Sequence, residues 1–256
     1  MALLEVENLR ISFGGLHAVD GLSTSVRQGQ IKGIIGPNGA GKTTLFNAIA
    51  GIQKPSGGEI RLEGRSIGAL RPFERAGLGI ARTFQNLQIF PELSLIENVM
   101  IGCHPKTKAG FCGAMLGTAS VRSEERRIEQ TAYEKLALLG MQDRAMLSAG
   151  SLSFGESKLL EIARALAADP KILMLDEPIA GVPAAEQAPV ARMIRDINAR
   201  GVTVILVEHN MRVVMGLCDE ILVLRSGRFL AEGTPREITA DPEVIAAYLG
   251  EEPAHA

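Results

Sequence analysis

A chain of 256 residues, 46% hydrophobic and 22% charged, is long enough to bury a sizeable core as one α/β domain with an attached subdomain. A formal net charge of -2 supplies no field that would draw the whole molecule to nucleic acid or to an anionic membrane, so any such contact would need a local patch. Three cysteines, Cys103, Cys112 and Cys218, share no C-x-x-C spacing and no histidine cluster, which fits reduced thiols in a cytosolic protein rather than a disulfide framework or a zinc site. The opening MALLEVENLR meets Glu5 and Glu7 before a signal-peptide core can form, and no apolar run approaches the roughly 20 residues of a membrane span.

From Leu3 to Ile34, alternating and β-branched residues broken by glycines predict short strands. Thr43 to Ala50 carries Leu45, Phe46 and Ile49 at helical spacing and stops at Gly51, so a strand, a glycine-rich loop and a helix follow one another. Gly57 to Gly64 is a further strand. Helical patterns then dominate from about Gln85 to Gly150, with a looser piece between Cys103 and Ser120. Within them Ser123 suits an N-cap, Glu124 and Glu125 suit a first turn, and Gly140 a helix end. After Lys158 an α/β alternation returns. Ile172 to Leu175, and Val202 to Val207 apart from Thr203, are apolar, as strands buried on both faces of a parallel sheet are. Asp241-Pro242-Glu243 opens one more helix, with a capping carboxylate and a proline at the first helical position.

Gly36-Pro37-Asn38-Gly39-Ala40-Gly41-Lys42-Thr43, followed by Thr44, is a complete phosphate-loop pattern lying between a strand and a helix. Its glycines let backbone N–H groups turn inward, the helix dipole adds positive potential, Lys42 would reach the β- and γ-phosphates, and Thr43 would ligate Mg²⁺. The strand KILML ends in Asp176-Glu177, at the sheet edge where a phosphate loop also opens. Alone such a pair is the polar start of a loop. Beside a phosphate loop, Asp176 can hold the metal and Glu177 can polarise an attacking water. LSFGE, with Ser153 and Gly155, sets up a second helix N-terminus suited to an anion. His209 also ends an apolar strand, where it could be structural, and Gln85 could be an ordinary surface amide.

GPNGAGKTT, RTFQN, LSFGE, ILMLDEP and VEH, in this order, resemble the nucleotide-binding subunit of ABC transporters, over essentially the whole chain. The resemblance implies a P-loop NTPase (RecA-like) core with an N-terminal antiparallel β subdomain and an inserted α-helical subdomain. It implies one ATPase domain over 1–256, with the core and β subdomain in 1–84 and 158–235, the helical subdomain in 85–157 and a C-terminal helical tail in 236–256. ATP and Mg²⁺ are the implied cofactors. Gln85 would reach metal and attacking water, His209 the γ-phosphate, and Phe13 would stack on adenine. Ser153 and Gly155 would donate to nucleotide held by a neighbouring subunit, which answers why one chain makes two such helix N-termini.

Within that family the chain is most similar to the ATPases of branched-chain amino-acid importers, through FGGLHAVDG, ARTFQNLQIFPELSLIENVMIG, VEHNMRVVM and GTPREITADPEVIAAYLG. The implied partners are a second copy or a sister ATPase in a head-to-tail dimer, membrane permease subunits and, indirectly, a periplasmic solute-binding protein, with no nucleic acid. The implied location is the cytoplasmic face of the inner membrane. Lipopolysaccharide exporters and urea or amide importers are the alternatives. Two positions depart from the family pattern: Phe154 where glycine is common, and Pro183 where Asp or Asn is usual.

Overall fold

The structure is a computed structural model and describes residues 2–83, 87–103 and 119–249. Two long antiparallel strands open it, β1 (Ala2–Phe13) and β2 (Leu16–Arg27), followed by β3 (Ile31–Ile35) and helix α1 (Lys42–Ala50). Strands β4 (Gly57–Leu62) and β5 (Arg65–Ser66), helix α2 (Pro72–Gly77) and strand β6 (Ile80–Arg82) complete the first part. Helices α3 (Leu95–Ile101), α4 (Ala119–Leu138) and α5 (Phe154–Leu166) come next. The chain ends with β7 (Ile172–Asp176), α6 (Ala184–Ala199), β8 (Thr203–Val207), α7 (Met211–Leu217), β9 (Glu220–Arg225), β10 (Arg228–Gly233), α8 (Pro235–Ala240) and α9 (Pro242–Leu249).

Two sheets result. One is antiparallel, in the order β2-β1-β4-β5; the other has six strands, in the order β10-β9-β3-β8-β7-β6. In the larger sheet β9, β3, β8, β7 and β6 run parallel, and only β10 turns back on β9. Because side chains alternate across a strand, each buried strand of this sheet serves two cores. Ile172 and Met174 of β7, with Ile205 and Val207 of β8, face α1 and the antiparallel sheet, meeting Leu45, Phe46, Leu9 and Ile11. Leu173 and Leu175, with Val204 and Leu206, face the opposite way onto Leu160, Ile162, Val190 and Ile194 of α5 and α6. The apolar runs read from the sequence are thus strands covered on both faces.

Helix α5 crosses residue 157 without a break and connects the helical region to the six-stranded sheet. Two features differ from the sequence reading. Helix α4 is already running at Ala119, so Ser123 lies inside it and caps nothing; serine is only mildly unfavourable within a helix, and a capping residue cannot stop a turn that packing continues. The hairpin of β9 and β10, turning at Ser226-Gly227, was absent from the expected elements. Asp241 does cap α9, its Oδ1 accepting from the N–H groups of Glu243 at 2.8 Å and Val244 at 3.3 Å.

Cys103 and Cys218 are buried, and Cys112 lies outside the described residues. Burial, aided by the neighbouring Asp219 carboxylate, pushes the Cys218 thiol up to about 12. Its sulfur fills the space beside Gly33, where a Cβ would come within 2.8 Å of Sγ. Since the thiolate is the reactive form, alkylation of native Cys218 is expected to be on the order of a thousandfold slower than that of a free thiol, and to become rapid in guanidinium. Peptide mapping after a brief iodoacetamide pulse checks this; labelling of native Cys218 at the denatured rate would contradict it.

Candidate functional site

β3, β8 and β7 are adjacent and parallel, so the loops leaving their C-terminal ends emerge at one sheet edge. Those loops carry the phosphate-loop residues, His209 and the Asp176-Glu177 pair. A cleft of about 650 Å³ opens there, lined by Phe13, Asn38, Gly39, Ala40, Gly41, Lys42, Thr43, Thr44, Glu177 and His209. Gly36 and Pro37 lead into it from β3. Sequence positions far apart converge because the strand order, and not the chain order, decides which loops are neighbours.

The cleft fits an anionic ligand. Gly41 stands at the N-cap of α1 in the left-handed conformation, φ 97°, and no side chain caps the helix. A Cβ at 41 would lie 2.5 Å from the Ala18 carbonyl oxygen, so only glycine fits the turn. The first N–H groups of α1, left without a capping side chain, and the positive end of the helix dipole suit phosphate oxygens. Lys42 is folded onto its own loop, Nζ donating to the carbonyl oxygens of Gly36 at 2.6 Å and Pro37 at 2.8 Å. Thr43 is exposed at the cleft. Phe13 is 49% exposed at its rim, an aromatic face open to solvent and available for stacking.

Asp176 is nearly fully buried. Burial pushes its carboxyl upward, while the Arg82 guanidinium pulls it down across a 3.5 Å contact. The Thr83 hydroxyl accepts from the Asp176 N–H at 3.3 Å. Glu177 adopts φ 49°, a left-handed conformation uncommon for a residue with a Cβ. Its N–H donates to the Val207 carbonyl of β8 at 2.9 Å, and its Oε1 lies 3.0 Å from Nε2 of His209. Glu208, buried just before His209, accepts from the N–H groups of Ile179 at 2.9 Å and His209 at 3.1 Å, tying the loop after Glu177 to the loop after β8.

Ser153 and Gly155 are not among the residues of the cleft. Ser153 is the N-cap of α5: its Oγ accepts from the Glu156 N–H at 3.3 Å, and its own N–H donates to the Glu156 carboxylate at 2.9 Å. The two residues form a reciprocal capping box that closes the N-terminus of α5. Pro183 occupies the N-cap of α6 and provides no capping side chain where Asp or Asn would provide one. Gln85 lies outside the described residues. Arg82, which contacts Asp176 and the α1 side chain of Asn47 at 2.8 Å, was not singled out from the sequence. Nothing in RTFQN marks its arginine as different from a surface one.

Fold and site together define a P-loop nucleotide-binding ATPase with a parallel core and an antiparallel side sheet. The ABC transporter family matches residues 19–180, and the branched-chain amino acid ATP-binding cassette transporter family matches residues 230–254. The chain is 42% identical, over 97% of its length and 98% of the relative's, to the high-affinity branched-chain amino acid transport ATP-binding protein BraF of Pseudomonas aeruginosa. It is 36% identical, over 98% of both chains, to the lipopolysaccharide export system ATP-binding protein LptB of Acidithiobacillus ferridurans. The crystal structure of the ADP conformation of an ATP-binding cassette of an ABC transporter superposes with a TM-score of 0.86 at 34% identity, covering 98% of this chain and all of that one. The chain belongs to the ABC transporter family, as one of its ATP-binding, ATP-hydrolysing subunits.

Proposed function

We propose that this chain is the motor subunit of an importer for branched-chain or other hydrophobic amino acids. It would work as a head-to-tail dimer, with itself or a sister ATPase, on a membrane permease supplied by a periplasmic solute-binding protein. The observation that carries the dimer is that Ser153 and Gly155 stand outside the chain's own nucleotide cleft. A second subunit would bring its cleft to them, with Ser153 and Gly155 facing the γ-phosphate. In each cleft the loop from Gly36 to Thr44 would cradle the phosphates and Phe13 the base. Glu177 would orient the attacking water, His209 would hold Glu177 and the γ-phosphate, and Gln85 would reach both water and metal.

Thr43 and Asp176, with Gln85, would hold Mg²⁺. Among the described residues no cluster of three or more His, Cys, Asp or Glu forms a protein-only cage, and hard oxygen donors completed by phosphate suit this ion. The ion would neutralise charge on the phosphates during transfer. The division into a core, a helical subdomain over 85–157 and a tail over 236–256 is part of this reading. The tail's match over 230–254 favours amino-acid import over lipopolysaccharide export, although both relatives align over nearly the whole chain.

No helix among the described residues is long and apolar enough to cross a membrane, so transport requires a spanning partner. A second cleft, of about 550 Å³, is lined by Ile52, Phe73, Phe90 and Ile101, with Phe73 66% exposed, and we assign it to a permease segment at the cytoplasmic face of the inner membrane. Placing a charge there with Phe73→Glu is expected to weaken co-purification with the permease at least about tenfold while basal ATPase stays within about twofold. Full retention of the permease would exclude this surface. The transport reading itself is tested by reconstituting the complex in vesicles and measuring ATP-dependent leucine uptake; uptake of urea but not leucine would replace the cargo.

A further inference from the structure

Phe154 opens α5 with its ring 47% exposed, yet the buried side of that ring is committed. It lies on Gly181, in the loop that follows Glu177. A Cβ at 181 would come within 2.9 Å of Cε1 and 3.3 Å of Cζ, and Gly181 has φ 77°, so the close approach and the backbone turn both need glycine. From one turn along α5, Lys158 places Nζ 5.8 Å from the ring centroid. The next residue makes a second contact: Gly155 is buried with the Glu186 carboxylate in the space a side chain would take, and Val182 Cγ1 lies 3.6 Å from that position.

The loop so gripped connects to both polar groups of the cleft. The Ala180 N–H donates to the Glu177 carbonyl at 3.2 Å, and the Val182 N–H to the Ile179 carbonyl at 3.0 Å. The Ile179 N–H reaches Glu208, whose other oxygen accepts from the His209 N–H. On the far side Gln187 donates to the Val182 carbonyl at 2.9 Å and accepts from Asn210 at 3.1 Å. A ring pressing on Gly181 therefore bears on a short, hydrogen-bonded segment that ends at Glu177 in one direction and at the His209 loop in the other.

We propose that Phe154 is a positioning residue for hydrolysis: it wedges the loop of residues 178–182 against the start of α5 and so holds Glu177 and His209 in the arrangement found here. The inference rests on Glu177 acting as the water-orienting carboxylate. It does not depend on where Ser153 finds a nucleotide, because every contact lies within one subunit.

The test is Phe154→Ala, with Phe154→Tyr as the conservative variant. Turnover of Phe154→Ala should fall about tenfold while affinity for a fluorescent ATP analogue stays within about twofold, as expected when a reacting group is displaced and the binding groups are not. Phe154→Tyr should recover most of the loss. In the nucleotide-free protein, hydrogen exchange of the Ala180 and Val182 amides should quicken at least about tenfold in Phe154→Ala while α1 is unchanged. In a double-mutant cycle, Gly181→Ala should cost less turnover in the Phe154→Ala background than in the native chain, since the clash with the ring is gone. Turnover within twofold of native, unchanged exchange at Ala180 and Val182, an equal loss of affinity, or an additive cycle would each overturn the wedge. Should Glu177→Gln remain active, the underlying reading fails instead, and that variant reports it separately.

Discussion

Glu177→Gln is expected to bind ATP within about twofold of the native chain while turnover falls at least about a hundredfold, the lower range for removing a general base. The substitution keeps the size of the side chain, and its amide oxygen can still accept from His209 Nε2, now 3.0 Å from Glu177 Oε1. The backbone pays the same left-handed conformation, φ 49°, with glutamine as with glutamate, so the fold has no added reason to suffer. What is lost is the negative charge that draws a proton from water. Phosphate release and titration with a fluorescent ATP analogue separate the two quantities. ATP should also trap the variant as a dimer on size exclusion, because binding without hydrolysis removes the step that would release it. Turnover within a few-fold of native would remove Glu177 from the role of catalytic carboxylate.

The second large effect divides binding between two subunits. Lys42→Ala should weaken ATP binding between about tenfold and a hundredfold, since a charged donor to phosphate contributes about 1.5–3 kcal/mol. Ser153→Glu should leave ATP affinity of the monomer within about twofold, because Ser153 is not part of the chain's own cleft, and should prevent the closed dimer by setting a carboxylate against a γ-phosphate. Loss of the serine cap costs about 1 kcal/mol of helix stability, so Ser153→Ala serves as the folding control. Mixed together, the two inactive proteins can form a dimer with one site spoiled twice and one site intact, and partial ATPase activity should return. A large loss of nucleotide affinity in monomeric Ser153→Glu would place Ser153 in its own subunit's site and end the composite reading.

Local signals in the sequence reached a good part of this. The phosphate loop was legible because its geometry is contained in nine consecutive residues, and β7 and β8 were legible because four apolar residues in a row suit strands with two covered faces. The start of α5 was legible from LSFGE, whereas the capping box of Ser153 with Glu156 belongs to the structure. The same reasoning failed at Ser123, because a cap-like residue inside a long helix has no signature of its own. Contacts that depend on strand order were out of reach. His209 meets Glu177 only because β8 lies beside β7, and Arg82 meets Asp176 only because β6 lies on the other side of it. Phe154 and Pro183 could be marked as departures, but no spacing rule joins residue 154 to residue 181; their proximity belongs to tertiary packing.

If Glu177 orients the attacking water as proposed, its left-handed backbone sets the reaction and the fold at odds. Positions of this kind are better filled by glycine or asparagine, and holding a glutamate there costs on the order of 1 kcal/mol or more. A lineage released from the need to hydrolyse ATP would gain stability by losing this side chain first, while its phosphate loop stayed intact. On the role proposed for Glu177, its identity would therefore separate a working engine from a decayed copy that still binds nucleotide.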